Sequence, residues 1–152
     1  MLGNTTAYSF IEDPLVPRFE VPPRFTVMDA HCALCARGAR WIAKNDRDML
    51  FRIVPAHTAL GEALLRHYGM DPADPTTWLY VEDGCAYSAL DALVRVGCAL
   101  GGVWRALAVL RILPPRWQDA LYGAVARRRI QLFGSADLCA LPDAQVQRRL
   151  LL

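Results

Sequence analysis

The sequence has little net charge, no long uncharged apolar run and no second close pair of cysteines. Each shortage removes a class of function. The formal net charge is only +2 over 152 residues, too small an imbalance to draw in nucleic acid through its field alone. The first residues, Met1 to Thr6, have neither a basic stretch nor a long apolar core. No secretory leader is expected there, and the chain is read as cytoplasmic. The most apolar stretch, Val96 to Leu113, is broken by Gly101-Gly102 and carries Arg105 and Arg111. It predicts two short buried helices and no stable membrane insertion. No repeat or low-complexity tract is visible, which excludes a solenoid or a linker-rich chain. The cysteines number five, an odd count that argues against a structural disulfide framework in a cytoplasmic protein.

Hydrophobic residues make up 54% and charged residues 21% of the chain, a composition that folds around a core. Residues 1–24 read as a Pro-rich extended arm, because Pro14, Pro17, Pro22 and Pro23 oppose a regular helix. Phe10, Leu15, Phe19 and Val21 are rather apolar for a free tail and predict that the arm packs on something. Residues 25–152 read as the domain itself.

Within that domain, Phe25–Met28 has strand composition, and a helix is expected from near Cys32 to about Asn45. Leu34, Gly38, Trp41 and Ile42 recur at helical spacing and form its expected apolar stripe. Leu50–Val54 reads as a second strand, Leu60 to Tyr68 as a short amphipathic helix, and Trp78–Val81 as a third strand. Asp83-Gly84 signals a hairpin into a fourth strand, Cys85–Tyr87. Ser88 with Asp91 resembles a capping box at the start of a helix through Leu90, Leu93, Val94 and Cys98. Trp104, Leu107, Ala108 and Ile112 make a further helical stripe. Pro114-Pro115 breaks the chain before a last long helix through Trp117, Leu121 and Val125. The order β-α-β-α-β-β-α with extra C-terminal helices predicts an α/β fold with the mixed sheet of a thioredoxin-like domain.

The chemistry concentrates at Cys32 and Cys35. Two thiols three residues apart at a helix start lie within one turn of each other. Unpaired N–H groups and the positive end of the helix dipole favour a thiolate there. Cys32 is therefore the expected nucleophile, exposed at the helix start. Cys35, one turn deeper and beside the Leu34–Trp41–Ile42 stripe, is the expected resolving thiol. His31 is either a protonated neighbour that stabilises the thiolate or a solvated turn histidine. Asp29 either caps the helix or accepts a proton from Cys35. The redox-active disulfide Cys32–Cys35 would itself serve in place of any cofactor. Cys85 and Cys98 read as packing residues.

The stretch Val27-Met28-Asp29-Ala30-His31-Cys32-Ala33-Leu34-Cys35 resembles the opening of the DCC family of predicted thiol–disulfide oxidoreductases, whose pattern is D-G-x-C-x-x-C after a first strand. Three later segments match in order: residues 82–93, which resemble the family's D-G-x-x-Y hairpin and helix; residues 121–130, its Tyr-and-Arg helix; and Leu132-Phe133-Gly134 with Cys139-Ala140-Leu141-Pro142, its closing segment. The resemblance implies a thioredoxin-like fold, a redox role for Cys32 and Cys35, Asp29 as the third signature residue, and some family role for Cys139. Two departures stand out. Ala30 replaces the family's glycine, so this turn must avoid positive φ. Thr76 or Thr77 stands where thioredoxins place a cis-proline, with Pro75 slightly too early.

The leading reading is thus a thiol–disulfide oxidoreductase acting on a protein or small-molecule thiol or disulfide, with no nucleic-acid partner and an oligomeric state the sequence does not fix. The competing readings are a non-catalytic thioredoxin-like interaction module and a zinc-binding module through Cys32 and Cys35. Zinc normally needs four ligands in two close pairs, and this chain has one such pair.

Overall fold

The computed structural model describes residues 6–73, 78–135 and 143–151. Four strands, β1 (Arg24–Met28), β2 (Phe51–Pro55), β3 (Leu79–Glu82) and β4 (Cys85–Ser88), form one sheet in the order β2-β1-β3-β4. β1 pairs with β2 in parallel and with β3 antiparallel, and β3 with β4 antiparallel. Helix α2 (Ala33–Asn45) makes the crossover from β1 to β2, and α3 (Ala59–His67) follows β2. Helix α4 (Ala89–Leu100) follows β4. This is the expected mixed α/β, thioredoxin-like arrangement. The hairpin forms where Asp83 and Gly84 adopt φ of 48° and 77°, the two positive values that a type I′ turn requires.

Strand alternation divides the core into two faces. Met28, Phe51, Ile53 and Tyr80 point to one face, where α2 and α4 supply Ala36, Ala39, Ile42, Ala92 and Val96. Phe25, Val27, Leu79 and Val81 point to the other, against Leu64, Leu65 and Tyr68 of and just beyond α3. The buried Thr26 hydroxyl donates to the Leu79 carbonyl at 2.9 Å, so it is satisfied within the sheet. Desolvation pushes the buried Tyr68 phenol up to about 12 and raises that of Tyr80 further.

Helix α2 buries three of its four alanines, Ala36, Ala39 and Ala43, together with Ile42. The expected stripe of Leu34, Gly38 and Trp41 instead turns partly away from the sheet. Small side chains let the helix lie close to the strands, and the larger ones are left for a cavity described below.

The arm packs on the second face. Phe10 and Val16 are buried, with Phe19 and Val21 packed against the same cluster. Phe10, Phe19 and Phe25 meet with centroid separations of 5.7–6.0 Å. Two expectations need correction. A single helical turn, α1 (Ser9–Glu12), interrupts the arm, and Leu15 is 80% exposed while its neighbour Val16 is buried. The arm is tied to α3 by His67, whose Nδ1 lies 2.6 Å from Asp13 and whose Nε2 lies 2.8 Å from Ser9 Oγ.

At the other end of the chain, α6 (Ala144–Gln147) leads to Arg149, which is 1% exposed. Its Nε meets Asp46 Oδ2 at 3.2 Å, and its Nη2 donates to the Asp46 carbonyl at 2.7 Å. Asp46 also accepts from the Leu50 and Phe51 amides, so this buried pair is satisfied on both sides. Residues 149–151 then run beside β2, with Ile53 donating to Arg149 and Leu151 donating to Ile53, each at 2.8 Å.

The stretch expected as two buried helices is different. After α4 the chain forms an eleven-residue 3₁₀ segment, Gly102–Ile112, with no buried residue. Helix α5 (Pro115–Phe133) follows. Among the described residues no helix is long and apolar enough to cross a membrane. The capping box also fails to form. Ser88 makes no side-chain cap because it is still in β4, paired with Leu79. Asp91 instead binds Arg95 and Arg111 at 3.1 and 2.8 Å.

Candidate functional site around the CxxC pair

β1 ends at Met28, whose carbonyl accepts from the Ala56 amide at 2.8 Å. The chain then turns through Asp29, Ala30 and His31. Asp29 Oδ1 accepts from the His31 amide at 2.9 Å, a local turn that short carboxylate side chains form readily. Ala30 is buried and does not take positive φ, so alanine fits where the family pattern has glycine. Cys32 is the N-cap of α2, in extended conformation, and makes no side-chain cap. Asp29 Oδ1 thus serves the turn that leads into α2.

Cys32 and Cys35 are both thiols, placed at the N-cap and in the first turn of one helix. Their exposure reverses the expected order. Cys32 is 0% exposed, whereas Cys35 is only half-buried. A segment far away in sequence lies against the backbone here. Beyond α5, Gly134 accepts from the Ala33 amide at 3.2 Å, and Ser135 forms an isolated antiparallel bridge with Cys32. The guanidinium of Arg37, on α2, stacks over Phe133 at 5.5 Å and fastens this strap to the helix it covers. One of the N–H groups that a helix start leaves unpaired is thus already used.

Cys35 faces a cavity of about 650 Å³ between α2, α4, the 3₁₀ segment and α5. Leu34, Trp41, Trp104, Leu107, Leu121 and Tyr122 are among its lining, which is almost wholly apolar. Trp41 and Trp104 meet edge-to-face at 5.2 Å, and Trp104 Nε1 donates to Asn45 Oδ1 at 2.9 Å. A cavity of this volume and character suits a small apolar ligand or the apolar side chains of a larger one.

His31 is exposed, and its ring lies 5.5 Å from that of His57. His57 is a neighbour that sequence reading overlooked. Only topology locates it: β1 and β2 are parallel, so the loops after them emerge at the same edge. The strap was overlooked for the same reason, since no local pattern links Gly134 and Ser135 to Cys32. The tryptophans were legible as apolar positions, but not as the wall of a cavity beside a thiol. Cys85 and Cys98 are half-buried and do not line that cavity. Cys139, and the threonines at the cis-proline position, lie outside the described residues. Among the described residues, no three His, Cys, Asp or Glu side chains gather into a metal-binding group.

The chain is 28% identical over 132 residues to the uncharacterized protein YuxK of Bacillus subtilis (strain 168), covering 87% of this chain and 96% of that one. It is 28% identical over 116 residues to a chloroplastic DCC family protein of Arabidopsis thaliana, covering 76% of this chain and 67% of that protein. No solved structure matches significantly. The family profile of the DCC1-like thiol-disulfide oxidoreductases matches residues 26–135, a span that begins in β1 and ends at the residue bridging Cys32, and the chain belongs to that family.

Proposed function

We propose that this protein catalyses thiol–disulfide exchange through Cys32 and Cys35, cycling between dithiol and disulfide with no other cofactor, in the cytoplasm. The observation that carries the reading is the placement of the two thiols at the N-cap and in the first turn of α2, with Cys35 in the wall of an apolar cavity. With the strap in place, Cys35 is the thiol that meets substrate. Its thiolate attacks a substrate disulfide and forms a mixed disulfide, and one substrate thiol leaves. The Cys32 thiolate then attacks Cys35 Sγ, which forms the Cys32–Cys35 disulfide and releases the second substrate thiol. An external dithiol returns the pair to the reduced state. Asp29 is assigned a positioning role through the His31 amide, and His31 the transfer of a proton to the departing thiolate.

A second reading rests on the N-cap position of Cys32, which favours a thiolate at that residue. Cys32 then attacks first, once Ser135 has moved aside, and Cys35 resolves. One experiment separates the two. Cys32→Ser and Cys35→Ser are each incubated with a disulfide-bonded peptide and mapped by mass spectrometry. Entry through Cys35 gives a stable mixed disulfide in Cys32→Ser, and entry through Cys32 gives it in Cys35→Ser. If neither variant traps peptide and both retain the exchange rate of the parent protein, the proposal fails.

A further inference from the structure

The 3₁₀ segment and α5 leave two apolar rows in solvent. A 3₁₀ helix has three residues per turn, so Val103, Ala106, Val109 and Ile112 stand in one row. All four are exposed, with Val103 at 77% and Ile112 at 81%. On α5, Trp117, Leu121 and Val125 recur every four residues and form a second exposed row. The opposite side of the 3₁₀ segment is the one that packs. A Cβ added at Gly97 of α4 would lie 2.6 Å from Leu107 and 2.9 Å from the Trp104 carbonyl. The outward row of the 3₁₀ segment is therefore not the unfilled side of a loose contact, but the far side of a segment already seated on α4.

Charge distinguishes the possible occupants. Residues 103–129 contain six arginines and one aspartate, in a chain whose net charge is only +2. Arg105, Arg116, Arg127 and Arg128 are exposed on the same two elements, while Arg111 is held by Asp91. A second copy laid on this face would set arginines against arginines. The rows are ridges of aliphatic side chains with one tryptophan, flanked by long cations. Such a surface seats at a lipid interface, where apolar side chains enter the acyl boundary, tryptophan lies at headgroup depth and arginine reaches the phosphates. Leu121 and Val125 belong both to the exposed row and to the lining of the apolar cavity, so that cavity adjoins the same face.

We infer that this face is a peripheral docking surface for an anionic lipid bilayer. It holds the protein on the membrane without spanning it. The inference does not rest on the exchange chemistry, and its test needs no redox substrate.

The test is flotation of the full chain with vesicles of phosphatidylcholine alone and of phosphatidylcholine mixed with phosphatidylglycerol. The expected result is binding to the phosphatidylglycerol vesicles, weakening in high salt, and little binding to phosphatidylcholine. Val103→Asp with Ile112→Asp abolishes flotation. Arg105→Gln and Arg116→Gln each weaken it by about fivefold, the scale for one cation at an anionic membrane surface. All four positions are exposed, and an unchanged circular dichroism spectrum and thermal midpoint establish that the variants fold. Equal binding to both vesicle types, no binding to either, or full binding by the Asp double variant would overturn the inference. A dimer in light scattering that the same double variant dissociates would also overturn it, because a second copy would then cover the face.

Discussion

Ser135 pairs with Cys32 across an isolated antiparallel bridge, and the neighbouring Gly134 carbonyl takes the first free amide of α2. A residue separated by a hundred positions is thereby held beside the buried one of the two thiols. The Arg37–Phe133 stacking is the side-chain contact that fastens this cover.

The first prediction follows from that contact. In the native reduced protein, iodoacetamide alkylates Cys35 before Cys32. Phe133→Ala removes a cation–π contact worth about 0.5–1 kcal/mol at an exposed site. Opening of the strap then becomes a few times more frequent, and Cys32 alkylation accelerates by the same factor while Cys35 changes little. Peptide mapping at timed quench points measures both rates. Equal acceleration at both cysteines would show general loosening and not release of a local cover.

The second prediction concerns Asp46 and Arg149. The guanidinium is buried and meets the carboxylate at 3.2 Å. Removing one partner leaves the other charge buried and unpaired, which costs about 3–5 kcal/mol. Arg149→Leu is expected to lower stability by that amount in urea unfolding. Arg149→Leu combined with Asp46→Asn should recover part of the loss, since the orphaned charge is gone.

The third concerns Gly61, in the first turn of α3. A Cβ built there would sit 2.2 Å from the Pro55 carbonyl oxygen and 3.0 Å from Ala56 Cα. Both are backbone atoms and cannot step aside as a side chain does. Gly61→Ala is expected to destabilise by about 1–3 kcal/mol, the usual cost of overpacking, despite alanine's better helix propensity. Thermal unfolding of the variant checks the sign: propensity alone would raise the midpoint, and steric conflict lowers it.

The strands were legible because Phe25-Thr26-Val27-Met28 and its partners have strand composition, and in the sheet they present two buried faces. The hairpin was legible because Asp83-Gly84 supplies both positive φ values. The face of α2 was not, since large side chains dominate a periodicity reading while alanines made the close contact with the sheet. The 3₁₀ segment had the apolar content of a buried helix, yet its outward row stays in solvent because α4 accepts only the row bearing Trp104 and Leu107. Within the site, the motif located Cys32 and Cys35. The strap of residues 133–135 beside Cys32 and the place of His57 both depend on tertiary arrangement, which local sequence does not encode.

The last prediction concerns the arm and pH. The hydrogen bond from His67, and then that from the Leu15 amide, hold the Asp13 carboxyl below its ordinary value of 3.8. A carboxyl depressed in the folded state stabilises that state above the unfolded value, and the contribution fades as pH falls through the folded one. The docked arm should therefore be insensitive to Asp13 near neutral pH and loosen only in acid. Hydrogen exchange of residues 9–19, followed from neutral pH downward and corrected for intrinsic rates, should show protection lost below the ordinary carboxylate range. Asp13→Asn should show at neutral pH the exchange that the parent protein shows only in acid, and trypsin should cleave it faster after the exposed Arg18. Exchange around Phe25 and Val27 should stay slow in both, because those residues belong to the sheet. If the arm of Asp13→Asn keeps full protection, the aromatic cluster of Phe10, Phe19 and Phe25 holds it unaided, and the His67 contacts are incidental.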